Sequence, residues 1–316
     1  MKVVVTGGAG FIGANLCKRL LSDPEVTEVV AFDDLSTGFR SNLDGVNARL
    51  EEGSILSPDH LARVLEGAAS VVHLAARPSV PRSVIDPMAS HVANATGTMN
   101  VLDAARNHGN VQVIVASSSS VYGSNPTLPK HEELATRPLS PYGASKLATE
   151  AYTVAYGSTY GMKTLAFRFF NVFGPLQAAG HAYAAVVPAF IDAALKGTPL
   201  EIHGDGTQSR DFTFVGTVAD TIATAVTEQI SSNGPVNLAF GTRTSLLDLI
   251  SMLEDQLGTA VERNHVAVRT GDVPHSQAAN ERLLALIPGI ASVSLEEGLR
   301  ETINWFQSEA AHQTNG

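Results

Sequence analysis

Tyr142 and Lys146 stand four residues apart in the stretch Pro141-Tyr142-Gly143-Ala144-Ser145-Lys146. On a helix, such positions share a face with their Cβ atoms about 6 Å apart. A free phenol ionises near pH ~10, and a neighbouring ammonium favours the phenolate. The pair could therefore take a proton from an alcohol near neutral pH. Upstream, the serines 117–120 follow an apolar run, Val111 to Ala116, and a hydroxyl at that strand end, Ser118, could hold the same oxygen. Tyr-x-x-x-Lys alone is common, so the pair has meaning only if the chain also holds something that oxidises an alcohol.

The opening stretch Val3-Val4-Val5-Thr6-Gly7-Gly8-Ala9-Gly10-Phe11-Ile12-Gly13 provides for that. The β-branched run reads as a buried parallel strand, and Phe11, Ile12, Leu16, Leu20 and Leu21 continue as an amphipathic helix. A strand, a glycine turn and a helix N-terminus hold a diphosphate, because backbone approaches the phosphates and free N–H groups point at them. Asp33, about 20 residues past Gly13 at the end of the next apolar run, is placed to accept from a ribose hydroxyl. A carboxylate repels a 2′-phosphate, and Asp34 adds a second one, so the cofactor is NAD rather than NADP.

At 316 residues the chain has ample material for a core. Its formal net charge of −10 argues against nucleic acid or an anionic membrane as partner, so an anionic small ligand must be held by local donors. Cys17, the single cysteine, falls among Leu16, Leu20 and Leu21 and reads as core. The first apolar run is too short for a signal peptide or a bilayer span, so a cytoplasmic location is the default. His73 ends a strand and reads as structural. His60, His108, His131 and His265 lack ligand spacing, so no metal is expected.

Apolar runs alternate with helical patterns along the first half: Val71–Ala75, a helix from His91 to His108, Val111–Ala116, a helix from Ala144 to Tyr160, then Thr164–Phe170. Repeated units of this kind make a doubly wound parallel sheet, Rossmann-like, with ligands beyond the C-terminal strand ends. The NAD-binding domain is assigned to 1–170, with 211–243 adding to it. A smaller α/β substrate lobe takes 171–210 and 244–306, with helices over Ser245–Leu257 and Leu295–Phe306. Residues from Ser308 onward read as a frayed tail.

With these motifs the chain resembles an extended short-chain dehydrogenase/reductase of the nucleotide-sugar epimerase and dehydratase branch. The likeness rests on Thr6 to Gly13, His73-Leu74-Ala75-Ala76, Asn94 to Thr98, Ser118 with Val121-Tyr122-Gly123, and Tyr142 to Lys146. It continues through Arg168 to Pro175, Gly204 to Phe212 and Gly271-Asp272-Val273. The resemblance implies Ser118, Tyr142 and Lys146 as catalytic residues. It implies NAD contacts from Gly7, Gly10, Phe11, Ile12, Gly13, Asp33, Asp34, Ser54, Ile55, Leu74, Ala75, Ala76, Asn94 and Phe169, besides Tyr142 and Lys146. Substrate contacts are implied for Ser79, Ser118, Ser119, Asn171, Val186, His203, Arg210, Arg269, Asp272 and Ser276. A homodimer through the helices around 92–108 and 144–160 is implied as well.

The resembled 4,6-dehydratases carry Asp-Glu directly after the catalytic hydroxyl, and UDP-glucuronate decarboxylases keep the glutamate. Here Ser119 and Ser120 stand there, which leaves oxidation and re-reduction at one carbon, the chemistry of a UDP-sugar 4-epimerase. A 4-keto-sugar reductase and a catalytically silent dinucleotide sensor are the rival readings. Ala178 replaces the arginine that resembled glucuronate epimerases use, so a glucuronate would be left with an unpaired charge. Ser276 is small where glucose-restricted relatives place a tyrosine, leaving room for a 2-acetamido group. UDP-glucose/UDP-galactose and UDP-GlcNAc/UDP-GalNAc both stay open. Departures from the pattern are Ser54 for an adenine-binding aspartate, Thr217 in a segment lacking the usual acidic pair, and His203 for an aromatic residue near uracil.

Overall fold

Val3, Val4 and Val5 of strand β1 (Lys2–Thr6) are all fully buried, because both faces of the strand are covered. Val3 and Val5 point into one hydrophobic cluster and Val4 into the other, the period-two alternation of a strand. The computed structural model describes residues 1–179, 184–268 and 274–314, with side chains to residue 310. Around β1 lie β2 (Glu28–Asp33), β3 (Arg49–Glu52), β4 (Ser70–His73), β5 (Gln112–Ser118) and β6 (Thr164–Phe169). The chain then leaves the sheet through short strands β7 (Val172–Phe173), β8 (Leu200–His203), β9 (Ser209–Arg210) and β10 (Thr213–Phe214). It returns with β11 (Val236–Leu238), giving a seven-stranded parallel sheet of order β11-β6-β5-β4-β1-β2-β3. This is the doubly wound α/β fold. The order reverses between β1 and β4, where a crevice opens at the strand ends.

Helices α1 (Phe11–Leu21), α2 (Pro58–Leu65), α3 (Val80–Ile85), α4 (Pro87–His91), α5 (Gly97–Asn107), α6 (Pro141–Tyr160), α7 (Val186–Lys196) and α8 (Val215–Thr227) follow in chain order. Leu16, Cys17 and Leu20 of α1 meet Val218, Ile222 and Val226 of α8 on one sheet face. Leu61, Val64 and Leu65 of α2 meet Val101, Leu102 and Ala105 of α5 on the other. The smaller lobe adds β12 (Thr244–Ser245), α9 (Leu246–Leu257), β13 (Arg263–Val266) and, after α10 (Glu281–Leu286), whose Leu283 packs back into the sheet core beside β11, α11 (Leu295–Thr314). Its core packs Phe173, Phe190, Phe212 and Phe214 against Leu249, Leu253 and Leu299. No described helix is long and apolar enough to cross a membrane.

Three helix boundaries differ most from the sequence reading. Helix α6 begins at Pro141 rather than Ala144, because Ser140 caps it by accepting from Gly143 N–H at 3.1 Å and Pro141 suits the first turn. The helix around Asn94 starts at Pro87, capped by Asp86, and changes pitch at a π turn, Val92–Thr96, before α5. The last helix runs to Thr314 where fraying was expected from Ser308. Phe306 anchors it to the lobe core, and no glycine or proline stops it before that point.

Candidate active site

The turn after β1 is tight enough to explain its glycines. A Cβ on Gly13 would lie 2.1 Å from Gly7 O, so α1 can pack on the turn only without a side chain there. Gly7 itself has φ of +72°. Gly10 caps α1 with extended backbone and no side-chain cap, which leaves first-turn N–H groups for an anion. Asp33 is buried at the neighbouring strand end. Its Oδ2 accepts from Ala9 N–H at 2.9 Å and its Oδ1 from Leu35 N–H at 2.8 Å. Burial pushes its carboxyl up, and those two N–H donors oppose the shift. Asp34 is exposed and accepts from Ser36 N–H at 3.0 Å. Ser54 spends its hydroxyl on its own turn, accepting from Leu56 N–H at 3.2 Å. Ile55 is buried, and its carbonyl takes a hydrogen bond from Asn100 at 3.0 Å. Turn, helix end and carboxylate fit the diphosphate and ribose of NAD.

Deeper in the crevice, the buried Asn94 sits on the π turn, where Gly97 N–H donates to Val92 O five residues back. Its Oδ1 accepts from Arg77 N–H at 2.7 Å and its Nδ2 donates to Ser145 Oγ at 2.9 Å. One side chain thus ties the loop Leu74-Ala75-Ala76-Arg77 to the helix of Tyr142 and Lys146. Beneath it, His73 Nδ1 lies 2.7 Å from Thr6 Oγ1 and Nε2 lies 3.1 Å from Thr98 Oγ1. The Thr98 proton goes to Asn94 O at 2.5 Å, so the Nε2–H tautomer satisfies every partner. Burial, then the Lys146 charge, drives the His73 pKa down to about 3 and keeps the ring neutral.

Ser118 ends β5, and Tyr142 and Lys146 lie on α6, which packs on that strand. Lys146 is buried and donates to Ala116 O at 2.8 Å; desolvation lowers its pKa to about 8. Loss of water pushes the Tyr142 phenol up, and the Ser118 hydroxyl opposes it. The Lys146 ammonium is directed at the strand carbonyl of Ala116. Ser119 is half-buried in the short turn that follows.

A cleft of about 410 Å³ opens in the smaller lobe. Of the expected substrate residues it is lined by Asn171, Val186, His203 and Arg210. Asn171, just past Phe169 of β6, has φ of +32° and donates to Asp211 O at 3.0 Å. Arg210 donates to Ser209 O at 3.0 Å and Pro274 O at 3.2 Å, which aims its guanidinium along the cleft wall. His203 Nδ1 lies 3.0 Å from Ala267 O and Nε2 3.1 Å from Glu201 Oε1. Ser79, Ser118, Ser119 and Ser276 lie outside this lining. Ser79 caps α3, and Ser276 N–H donates to Ser209 O at 3.0 Å, which keeps it beside Arg210. Arg269 and Asp272 lie outside the described residues.

Sequence reasoning missed two buried charges that brace these elements. Asp211 accepts from Ala278 N–H at 3.0 Å and Thr242 Oγ1 at 2.9 Å; burial raises its pKa to about 6. It joins three segments at the cleft, and its place next to Arg210 was the available signal. Glu150, one turn beyond Lys146 on the same helix face, accepts from Ser117 Oγ and forms a two-pronged pair with Arg168 at 2.6 and 2.9 Å. No cluster of three His, Cys, Asp or Glu side chains suited to a metal occurs among the described residues.

The model of the NAD dependent epimerase/dehydratase family matches residues 3–239. The chain belongs to that family. It is 34% identical to the UDP-glucose 4-epimerase of Mycolicibacterium smegmatis over 98% of this chain and 100% of the relative. The UDP-N-acetylglucosamine 4-epimerase of Methanobrevibacter ruminantium, solved with UDP-N-acetylmuramic acid, is 36% identical and has a TM-score of 0.92 over 98% of each chain. The Thermus thermophilus UDP-glucose 4-epimerase, solved with NAD, is 34% identical with a TM-score of 0.87, over 97% of this chain and 99% of that one. As a member of an NAD-dependent family, the chain takes NAD as its cofactor, in line with the glycine turn and Asp33.

Proposed function

We propose that this chain is a UDP-sugar 4-epimerase, an isomerase that inverts C4 of a UDP-hexose through a transient 4-keto sugar. The observation that carries the reading is the union of Ser118, Tyr142 and Lys146 between β5 and α6, with hydroxyls and no carboxylate at 119 and 120. The named functions of the relatives support it.

NAD, when bound, takes the C4 hydride and gives it back, so none is consumed. The diphosphate would lie on the glycine turn and α1, with the adenosine ribose at Asp33. As its phenolate, Tyr142 accepts at Oη the proton of the sugar 4-hydroxyl as the C4–O bond becomes a carbonyl, and returns it after the sugar presents its other face. Ser118 Oγ holds the reacting oxygen. Lys146 holds the nicotinamide ribose, and Asn94 braces the loop beside it. Arg210 and Asn171 take the substrate diphosphate, with Arg269 and Asp272 adding contacts, and His203 and Val186 flank the nucleoside. An arginine fork suits phosphate because it binds two oxygens at once. Ser276 leaves room for a 2-acetamido group, so both plain and N-acetylated UDP-hexoses are accepted. Glucuronate is disfavoured by Ala178.

The same reading makes the enzyme a cytoplasmic homodimer, with Met99 of α5 and Tyr152 and Tyr160 of α6 as apolar surface for a second copy. To test the function, purified protein without added cofactor is incubated with UDP-glucose, UDP-N-acetylglucosamine or UDP-glucuronate, and products are separated. Conversion of the first two to their 4-epimers is expected. No conversion of any sugar, even with NAD supplied, would overturn the reading in favour of a reductase or a sensor.

A further inference from the structure

Ser118 has one proton and two lone pairs to place. Two donors meet its oxygen, Ser120 N–H at 3.2 Å and Ser120 Oγ–H at 2.9 Å. Both come from the same residue, two positions along the chain. With both lone pairs engaged, the hydroxyl has only its proton left to offer. Ser120 is itself held in place by the helix that carries the tyrosine. A Cβ on Gly143 would lie 2.9 Å from Ser120 O, so the first turn of α6 rests directly on this residue. Val121 and Tyr122, which follow it, are fully buried and fix the other side of the turn.

We propose that Ser120 is a positioning residue, whose amide and hydroxyl hold the Ser118 oxygen as an acceptor so that the single Ser118 proton is directed at the Tyr142 phenol and the reacting oxygen. The inference rests on the roles given to Ser118 and Tyr142 under the proposed function. Hydrogen bonds in a chain polarise one another, so a Ser118 hydroxyl that accepts from Ser120 is also a stronger donor. Ser118 also opposes the upward shift of the half-buried Tyr142 phenol. An alanine at 120 removes the hydroxyl donor and frees the Ser118 proton to turn toward Ser120's former place.

The test uses the full chain labelled at the tyrosine Cζ carbon, with Tyr142→Phe identifying which of the six tyrosine resonances belongs to the site. The chemical shift at neutral pH reports the hydrogen bond accepted by the phenol, and the alkaline titration reports its ionisation. Ser120→Ala should move the resonance toward its position in Ser118→Ala, raise the ionisation midpoint, and lower kcat about two- to tenfold with KM unchanged. Ser120→Thr, which keeps the hydroxyl, should restore all three. In Ser118→Ala, adding Ser120→Ala should change nothing further. A Tyr142 resonance and midpoint unmoved in Ser120→Ala, or a full additional effect on the Ser118→Ala background, would overturn the inference. The resonance is read without substrate, so it decides the role of Ser120 even if no UDP-sugar is converted. A failed conversion alone falls on the proposed function.

Discussion

Removing one partner of the Glu150–Arg168 pair should destabilise the fold far more than removing both. The two side chains are 7% and 3% exposed, and their two contacts are 2.6 and 2.9 Å long. Glu150→Met leaves a guanidinium in the interior with no anion, and it strips Ser117 Oγ of its acceptor. A buried charge stranded in this way typically costs about 3–5 kcal/mol. Arg168 keeps two consolations, the Tyr122 ring 4.6 Å from its Cζ and Glu132 O at 3.4 Å, which favour the lower end of that range. In a protein of this size the loss corresponds to a fall in Tm of about 5 °C. Glu150→Met with Arg168→Met removes both charges and replaces them with apolar volume, and should recover most of the loss. Urea unfolding and calorimetry of the two single variants and the double variant would decide. Equal losses in all three, or a double loss equal to the sum of the singles, would refute the idea that a stranded charge sets the cost.

Tyr142→Phe should lower epimerase turnover by at least about 100-fold while the purified protein keeps its NAD, as judged by cofactor released on denaturation. Gly13→Ala places a carbon 2.1 Å from Gly7 O and should lose bound NAD, whereas Gly10→Ala, with its nearest contact at 3.1 Å, should lose less. Lys146 titrates at about 8 in the fold against an ordinary 10.5. Between those values the unfolded chain binds the extra proton, so this group makes stability rise with pH there. Unfolding midpoints measured from about pH 8 to about pH 10 should show that rise in the parent and a smaller one in Lys146→Met.

Local spacing carried most of what the sequence disclosed. The run of valines, the three glycines and Asp33 sit close together in the chain, so strand, turn, helix and ribose acceptor could be placed without knowing the packing. Tyr142 and Lys146 were legible for the same reason. What Lys146 touches was not, because Ala116 O belongs to a strand 30 residues earlier and comes within reach only when α6 lies on β5. Asp211 and Glu150 were hidden by the sound expectation that a carboxylate faces water. Each is buried because donors from distant segments converge on it. The helix to Thr314 was hidden because its polar residues resemble a tail, and only the docking of Phe306 shows otherwise.

The π turn at Val92–Thr96 also bears on how the chain can change in length. It holds one residue more than a regular helix would use over the same stretch, with Gly97 N–H reaching back to Val92 O. Deleting a residue there would let the ladder close as an ordinary helix and turn Pro87–His91 relative to Gly97–Asn107 by about 100°. Asn94 would then leave either the Arg77 backbone or Ser145, and Thr98 would leave His73. An insertion would turn the two parts in the opposite sense. An exposed position such as Met88 can change its side chain freely, but the segment between Pro87 and Asn107 is bound to its present number of residues.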